Sequence, residues 1–252
     1  MGLRNIKLLL AYDGTDFSGW QVQKNQRSVQ GVLEEGLSEM HRHSVHVKGA
    51  GRTDSGVHAR GQVANFFSDL DSIKAVKFKD AINTYLPEDV RVLKSEEKDL
   101  SFDARYAAVA RLYRYYIYIS AVELPQYRNF SIKKKRMPDI ILINEMASVL
   151  TGGHDFSSFT KAGDSCRGRK RIIYSSVFFV KGDFLIYEIV ANAYCWKMIR
   201  SIVGTILECE EKGLDKEYFK SVLESGERAR AGTTAPAKGL FLERVIYNYE
   251  EL

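Results

Sequence analysis

The chain has 252 residues, enough for one large domain or two smaller ones. Hydrophobic residues make up 45% and charged residues 27%, which is typical of a soluble globular protein, and no apolar run is long enough to span a membrane. Three widely spaced cysteines argue against a disulfide framework, and their spacing is not that of a structural zinc site. With no signal-peptide pattern at the N-terminus, we expect a cytoplasmic protein.

The first half of the chain predicts six elements. They are a strand at Ile6–Tyr12, a helix after the N-cap Ser28, strands at Val45–Ala50 and Gln62–Phe67, a helix over Val76–Ile82, and a strand at Val90–Leu93. Their order is β-α-β-β-α-β.

The second half predicts the same order. It contains a strand at Leu112–Ile119, a helix from Pro138 to Leu150 stopped by Gly152-Gly153, a hairpin of Ile172–Lys181 and Phe184–Ala191 around Gly182-Asp183, a helix at Trp196–Glu210, a short helix at Lys216–Leu223, and a closing strand at Gly239–Tyr247.

This order is that of the ferredoxin-like motif. We therefore predict an α+β fold of two ferredoxin-like βαββαβ halves, residues 1–105 and 106–252. Together they form a mostly antiparallel mixed sheet flanked by helices, with the active-site cleft between the halves.

Residues 49–62 form a glycine-rich loop between two predicted strands, with Asp54 near its apex. The loop is not a dinucleotide fingerprint, because Asp54 occupies the third glycine position of that motif. It is not a phosphate-binding P-loop either, since Val57 and His58 follow Gly56 where Lys and Ser or Thr are required. From the residues alone, the favoured interpretation of Asp54 is a turn residue whose side chain hydrogen-bonds to its own backbone, and a catalytic carboxylate is the alternative.

The net charge of +5 allows a polyanionic partner without requiring one. Dense basic clusters at Lys133–Arg136 and Arg167–Arg171 lie in predicted loops, where they could be solvated or could bind phosphate. Three histidines at positions 41, 43 and 46 cross from a helix end into a strand without acidic or thiol ligands nearby, so we expect no metal site there.

Several blocks, in order, carry a resemblance that covers nearly the whole chain. They are Tyr12-Asp-Gly-Thr-Asp-Phe-Ser-Gly-Trp-Gln21, Arg27-Ser-Val-Gln30, Gly51-Arg-Thr-Asp-Ser-Gly-Val-His58, Arg111-Leu-Tyr-Arg-Tyr115, Asp155-Phe-Ser-Ser-Phe159, Ala191-Asn-Ala-Tyr194, Met198-Ile-Arg200, Ile202-Val-Gly204 and Thr234-Ala-Pro-Ala237 with Gly239-Leu240. By these blocks the chain resembles the tRNA pseudouridine synthases of the TruA type.

The resemblance implies isomerisation of uridine to pseudouridine at tRNA positions 38, 39 and 40 in the anticodon arm. It implies no metal or organic cofactor, and a homodimer that grips one tRNA.

The resemblance also assigns site residues. Asp54 is the catalytic carboxylate, acting as a nucleophile or as a base, and Arg200 is the cation that keeps it ionised. Tyr113 provides the face on which the flipped uracil stacks, and Leu240 closes the other side of the pocket. Arg52 occupies the space that the flipped base leaves.

Three further points concern binding and departures from the family. His58 is expected to shape the loop by hydrogen bonding, and Arg60 is a candidate phosphate contact together with the two basic clusters. The block Tyr194-Cys-Trp-Lys197 departs from the phenylalanine and the more basic or histidine residues usual in the family, so we expect altered packing and RNA contacts there.

Two alternative functions stay open. One is a non-catalytic tRNA-binding or folding protein, and the other is a pseudouridine synthase that acts on another tRNA position. Zinc-dependent base deamination is disfavoured, because its H-x-E and P-C-x-x-C spacings are absent from the sequence.

Overall fold

The computed structural model describes residues 2–161, 163 and 168–252. By their contacts the residues form two compact units, one of the chain up to Val109 together with Phe241–Glu251, the other of Ala110–Leu240. The sequence-based division assigned all of residues 106–252 to the second half, whereas the contacts group the C-terminal strand with the first.

The described residues form ten strands and five α-helices. In chain order these are β1 (Arg4–Tyr12), α1 (Val29–His41), β2 (Val47–Gly49), β3 (His58–Ser68), α2 (Phe78–Ile82), β4 (Val90–Lys98), β5 (Ala110–Ile119), β6 (Ile132–Lys134), α3 (Ile140–Ser148), β7 (Gly152–Asp155), β8 (Lys170–Lys181), β9 (Phe184–Ala191), α4 (Met198–Glu211), α5 (Lys216–Ser225) and β10 (Leu240–Ile246).

The first unit has the predicted β-α-β-β-α-β order. Its strands β4, β1, β3 and β2 lie side by side and antiparallel, which is the strand order of a ferredoxin-like motif. Strand β10 pairs with β3 in parallel, with Phe241 opposite His58 and Leu242 opposite Ala59. The start of β3, immediately after the glycine-rich loop, therefore has a neighbouring strand that fixes its position.

Local sequence explains the elements of the first unit. Alternate residues Ile6, Leu8 and Leu10 of β1 are fully buried, as a half-buried strand requires. Helix α1 begins after Ser28, whose Oγ accepts the N–H of Gly31 at 3.2 Å, and this confirms the predicted N-cap.

The second unit contains the strand order β5, β9, β8 and β7, all antiparallel, with β6 parallel to β5. The predicted hairpin of β8 and β9 is confirmed. Its turn needs glycine, because Gly182 has φ of +58°.

Two details of the prediction for this unit were wrong. Helix α3 begins at Ile140, not at Pro138, because Asp139 is the N-cap and accepts the N–H groups of Ile141 and Leu142 at 2.9 and 3.1 Å. Gly152 and Gly153 do not stop the helix but open strand β7. Strands β6 and β7 were not predicted, since runs of three and four residues are too short to show a period.

The predicted α+β class is confirmed, with mostly antiparallel but mixed strand pairing and flanking helices. Within the described part of the chain, no helix has both the length and the apolar character that crossing a membrane requires.

Candidate active site

Residues 50–57, called here the aspartate loop, connect β2 to β3 in the first unit. Its backbone is bound by an earlier segment of the chain: Trp20 donates its N–H to Thr53 O at 3.1 Å, and Gly56 donates to Phe17 O at 3.3 Å. Within the loop, Val57 donates to Asp54 O at 3.1 Å, which closes a turn around the aspartate. The main-chain position of Asp54 is thus set from both sides.

Close backbone contact at this loop depends on glycine. Gly19 has φ of +105°, and a Cβ there would lie 2.6 Å from Thr53 O and 3.2 Å from the carbonyl carbon of Asp54. A Cβ at Gly14 would overlap the carbonyl of Val57 at the other end of the loop. The segment 14–19 can therefore approach the loop because positions 14 and 19 are glycines.

Buried polar groups support the loop from below. The Tyr12 hydroxyl lies 2.8 Å from Thr53 Oγ1, and Gln62 Nε2 donates to Gly51 O at 2.9 Å. Burial raises the pKa of Tyr12 to about 12, although its hydrogen bonds with Thr53 and Gln62 oppose the rise. The phenol therefore stays protonated at neutral pH and adds no negative charge beside Thr53.

The Asp54 residue is partly buried, whereas Arg52 and Ser55 on either side are exposed. A carboxylate held on a rigid turn at the surface can attack an electron-poor carbon, remove a proton or stabilise positive charge. The exposed Arg52, two residues away, can reach a ligand that approaches the same loop.

His58 and Arg60 follow the loop on β3. The His58 ring is fully buried, and its Nδ1 accepts the N–H of Gly14 at 2.9 Å. The ring stacks on Phe241 with centroids 4.6 Å apart. Arg60 is exposed. Its Cζ lies 4.5 Å from the ring centroid of Phe241 on the neighbouring strand β10, and its Nη1 lies 3.0 Å from Glu243 Oε1. His58 thus anchors residue 14 to the loop, while Arg60 stands at the surface.

In the second unit, Tyr113 lies on β5 with 7% of its surface exposed. Its ring meets the edge of the Tyr194 ring, with centroids 5.1 Å apart and planes at 81°. The Tyr194 hydroxyl lies 3.0 Å from the carbonyl oxygens of Arg111 and Ile189, and burial raises its pKa well above the usual value. Tyr194 is therefore a neutral support that fixes one edge of Tyr113.

Arg200 lies in the first turn of α4 and is anchored to segment 233–235. Its Nε donates to Ala235 O at 2.8 Å, while Ala235 N–H donates to Arg200 O at 3.0 Å. Segment 233–235 can approach α4 because residue 204 is glycine, where a Cβ would overlap Thr233 O. The Nε contact orients the guanidinium plane.

Leu240 lies at the start of β10 and is 5% exposed. The preceding Gly239 packs against the Tyr115 ring, whose hydroxyl donates to Pro236 O at 2.7 Å. Burial raises the pKa of Tyr115, while the positive charge of Arg200 lowers it in part. Arg200 and Leu240, predicted from distant parts of the sequence, thus both lie near Tyr115.

The predicted basic clusters have different surroundings. In Lys133–Arg136, Lys134 pairs with Glu211 at 2.5 Å and Arg136 pairs with Glu210 at 2.8 Å, while Lys135 is exposed. In the second cluster, Lys170 and Arg171 open β8. Arg167 and Cys166 lie outside the described residues.

The histidines that resembled a metal cluster have other contacts. His41 Nδ1 lies 2.8 Å from Leu37 O and its Nε2 lies 2.9 Å from Ser68 Oγ. His43 pairs with Asp69 at 3.1 Å. Among the described residues, no group of three His, Cys, Asp or Glu side chains has an arrangement suited to a metal ion.

Sequence reasoning assigned no role to Tyr12, Gln62 or Tyr194, which support the proposed site residues. Tyr12 and Tyr194 do lie in the blocks that carry the resemblance, and this was their only signal. Gln62, a fully buried polar residue within a strand of β-formers, could have been noticed because such a side chain requires partners.

Comparison with known proteins gives a match to the family model described as tRNA pseudouridine synthase over residues 9–107 and 146–248. Three similar proteins carry the name tRNA pseudouridine synthase A. The one from Treponema denticola is 45% identical, and the alignment covers 97% of this chain and 93% of that protein. That from Brachyspira hyodysenteriae is 39% identical, covering 98% and 100%, and that from Acetivibrio thermocellus is 39% identical, covering 97% and 100%.

Proposed function

The chain belongs to the tRNA pseudouridine synthase family, and we propose that it isomerises uridine to pseudouridine at positions 38, 39 and 40 of the tRNA anticodon arm. The main observation behind the proposal is that backbone hydrogen bonds fix the position of Asp54. This carboxylate lies inside a matched segment, on a loop whose backbone is bound by residues 17 and 20.

A carboxylate of this kind can serve the reaction in more than one way. The C1′–N1 glycosidic bond of uridine breaks, the uracil turns, and a C1′–C5 bond forms, while C5 loses a proton and N1 gains one. The atoms balance without any co-reactant. Ionised Asp54 can attack C1′ or remove a neighbouring proton, and either role uses the same placement beside the sugar.

The target base is stacked in the RNA and must be extruded, which costs a few kcal/mol. We assign Arg52 to the space that the base leaves, because it is exposed two residues from Asp54. Tyr113 then stacks on the flipped uracil, and Leu240 limits the pocket. Stacking contributes roughly 1–3 kcal/mol per base, which is the right size to offset the cost of extrusion.

Arg200 is proposed to keep Asp54 ionised by a charge-assisted pair. A double-mutant cycle tests this assignment. If the two groups act as one unit, Asp54→Asn combined with Arg200→Lys loses no more activity than Asp54→Asn alone. Additive losses would mean that Arg200 acts elsewhere.

The grip on tRNA is proposed to come from cations that contact phosphates, with Arg60, Lys133–Arg136 and Arg167–Arg171 as candidates. Such contacts do not read base identity, which suits an enzyme that accepts several adjacent nucleotides.

We further propose that the protein is cytoplasmic and works as a homodimer. Size-exclusion chromatography with light scattering tests the dimer, and a mass of one chain at micromolar concentration would contradict it.

Nucleotide-resolution mapping of pseudouridine tests the proposed function. The full chain is incubated with a set of unmodified tRNA transcripts and with no added cofactor. We expect modification at positions 38, 39 and 40. Modification elsewhere would keep the reaction and refute the target, whereas tight binding without modification of any tRNA would favour the tRNA-binding alternative.

A further inference from the structure

Three residues of the second unit, Lys161, Trp196 and Lys197, form what we call the Trp196 platform. The Trp196 residue is 40% exposed, and the Lys161 and Lys197 Nζ atoms lie 4.1 and 5.7 Å from its ring centroid. The chain has two tryptophans, and the other, Trp20, is 2% exposed. The platform thus presents a large aromatic surface together with two positive charges.

Backbone contacts and buried neighbours define the geometry of the platform. Buried Cys195 and Met198 flank it, and Met198 donates its N–H to Cys195 O at 3.1 Å. Lys197 adopts a left-handed conformation with φ of +62°, which a lysine rarely adopts unless its surroundings impose it. Lys161 donates its N–H to Trp196 O at 3.1 Å, so the two chain segments of the platform are joined.

We propose that the Trp196 platform is an additional tRNA contact, in which the indole stacks on an unpaired base next to the target uridine and the two lysines bind flanking phosphates. The inference rests on the proposed function. An exposed aromatic ring beside cations is the combination by which proteins bind single-stranded nucleic acid without reading its sequence. This suits an enzyme whose target shifts by one nucleotide between positions.

Relative strengths favour the base over the ammonium groups. A lysine over an exposed ring gains less than a base stacked on that ring. An arriving base therefore displaces the lysine from the indole, and the released ammonium group can bind a phosphate on either side of that base. The same three side chains serve both states without any change in the backbone.

The platform lies close to Arg200 in the chain, and this limits the nucleotides that it can contact. Trp196 precedes Arg200 by four residues, so their Cα atoms are at most about 14 Å apart. Arg200 is the group proposed to act on the catalytic carboxylate, and the contact therefore falls on neighbours of the extruded uridine rather than on the distant parts of the tRNA.

Tryptophan fluorescence gives a direct test that does not depend on catalysis. An unmodified tRNA transcript is titrated into the full-length wild type and into Trp196→Phe. We expect quenching in the wild type on binding, and loss of most of that signal in Trp196→Phe, because the buried Trp20 is shielded from the RNA. Saturable binding without a change in wild-type fluorescence would overturn the proposal.

Affinity measurements separate stacking from charge. Trp196→Ala is expected to raise the Kd for tRNA by roughly 5- to 150-fold with kcat changed less than about 3-fold, while Trp196→Phe restores most of the affinity. Tyr218→Ala is the matched control, because Tyr218 is 38% exposed in the same unit but lies on helix α5, outside the platform. It should leave the Kd unchanged.

Lys161→Gln and Lys197→Gln are expected to flatten the plot of log Kd against log salt concentration by about 0.7 to 0.9 each. Unchanged slopes would overturn the phosphate contacts. If the wild type modifies tRNA while all platform variants bind like the wild type, this inference fails and the proposed function stands. If the wild type neither binds nor modifies tRNA, the proposed function fails and the inference fails with it.

Discussion

In the first unit, Asp54 stands on a loop whose backbone is hydrogen-bonded to Phe17 and Trp20, whereas in the second unit Tyr113 and Arg200 project from a strand of ten residues and a helix of fourteen. The carboxylate is placed by main-chain contacts that glycine makes possible. The accessory groups are placed by the regular geometry of their elements and by one or two side-chain contacts.

This difference has a practical consequence. A loop fixed by its backbone should be damaged most by a change that adds a Cβ where two chain segments meet. A side chain on a regular element should be damaged most by a change in its own functional group. Substitutions of both kinds therefore test whether each functional group is placed by backbone contacts or by its regular element.

Apart from removal of the Asp54 carboxylate itself, the largest effect is expected from Gly19→Ala. The new Cβ would meet Thr53 O in a backbone conformation that alanine rarely adopts, at a cost of about 1–3 kcal/mol for the strain alone. Displacement of Asp54 by about 1 Å should lower the rate of pseudouridine formation by roughly 100-fold.

Single-turnover kinetics and thermal unfolding check this prediction for Gly19→Ala. Gly182→Ala is the control, because Gly182 also has positive φ but has open space around it. The control should lose a little stability and no activity. Full activity of Gly19→Ala would show that the loop does not depend on its close backbone contacts.

The next effect is expected from Arg200→Lys, which keeps the charge but removes the Nε donor to Ala235 O. We expect kcat to fall by roughly 10- to 100-fold with little change in the melting temperature, because the packing of α4 is unchanged. Steady-state kinetics measure this, with the exposed Arg230→Lys as control. Wild-type kcat in Arg200→Lys would mean that charge alone suffices.

Gly204→Ala tests a close glycine contact in the second unit. In an isolated helix this change would stabilise by about 1 kcal/mol. Here the Cβ overlaps Thr233 O, so we expect a net loss of roughly 1–3 kcal/mol in the free energy of unfolding. Urea denaturation decides the sign, and a stabilised variant would refute the tight approach of segment 233–235 to α4.

The smallest effect is expected from Glu96→Gln, a change in the free energy of unfolding, because Glu96 lies on β4 away from the aspartate loop. Burial raises its pKa, but the hydrogen bond from Lys7 and the charges of Lys7, Lys98 and Lys94 outweigh this and lower it to about 2. Because the folded pKa lies below the usual 4.5, the stabilisation is full above about pH 4.5 and is lost as the pH falls towards 2.

Glu96→Gln should therefore lower the free energy of unfolding by about 1 kcal/mol at pH 7, and the difference from the wild type should shrink by pH 3. Urea denaturation at the two pH values measures it, with the exposed Glu88→Gln as control. Activity at pH 7 should be unchanged. If the difference in unfolding free energy between Glu96→Gln and the wild type is the same at pH 7 and pH 3, the stabilisation does not arise from the lowered pKa of Glu96.

The sequence predicted most elements because their signals are local. Buried alternation in β1, the Ser28 cap of α1 and the glycine at the β8–β9 turn all act within a few residues. Strands β6 and β7 escaped prediction because runs of three and four residues are too short to show a period.

The candidate site was predictable only in part. Asp54, Arg200 and Tyr113 came from resemblance, and their catalytic roles stay predictions. The sequence could not show that Gly19 meets Thr53 or that Gly204 meets Thr233, because these contacts join residues about 30 positions apart. A glycine indicates that space or an unusual backbone angle is needed, but not which atoms fill that space.

The proposed role of Asp54 is tested by comparing Asp54→Asn with the wild type in single-turnover pseudouridine formation on one tRNA transcript. Asp16→Asn, an exposed aspartate in the segment that binds the loop, is the matched control. We expect the rate to fall about 1,000-fold or more in Asp54→Asn, with tRNA affinity retained and the control unaffected. A rate within tenfold of the wild type in Asp54→Asn would contradict it.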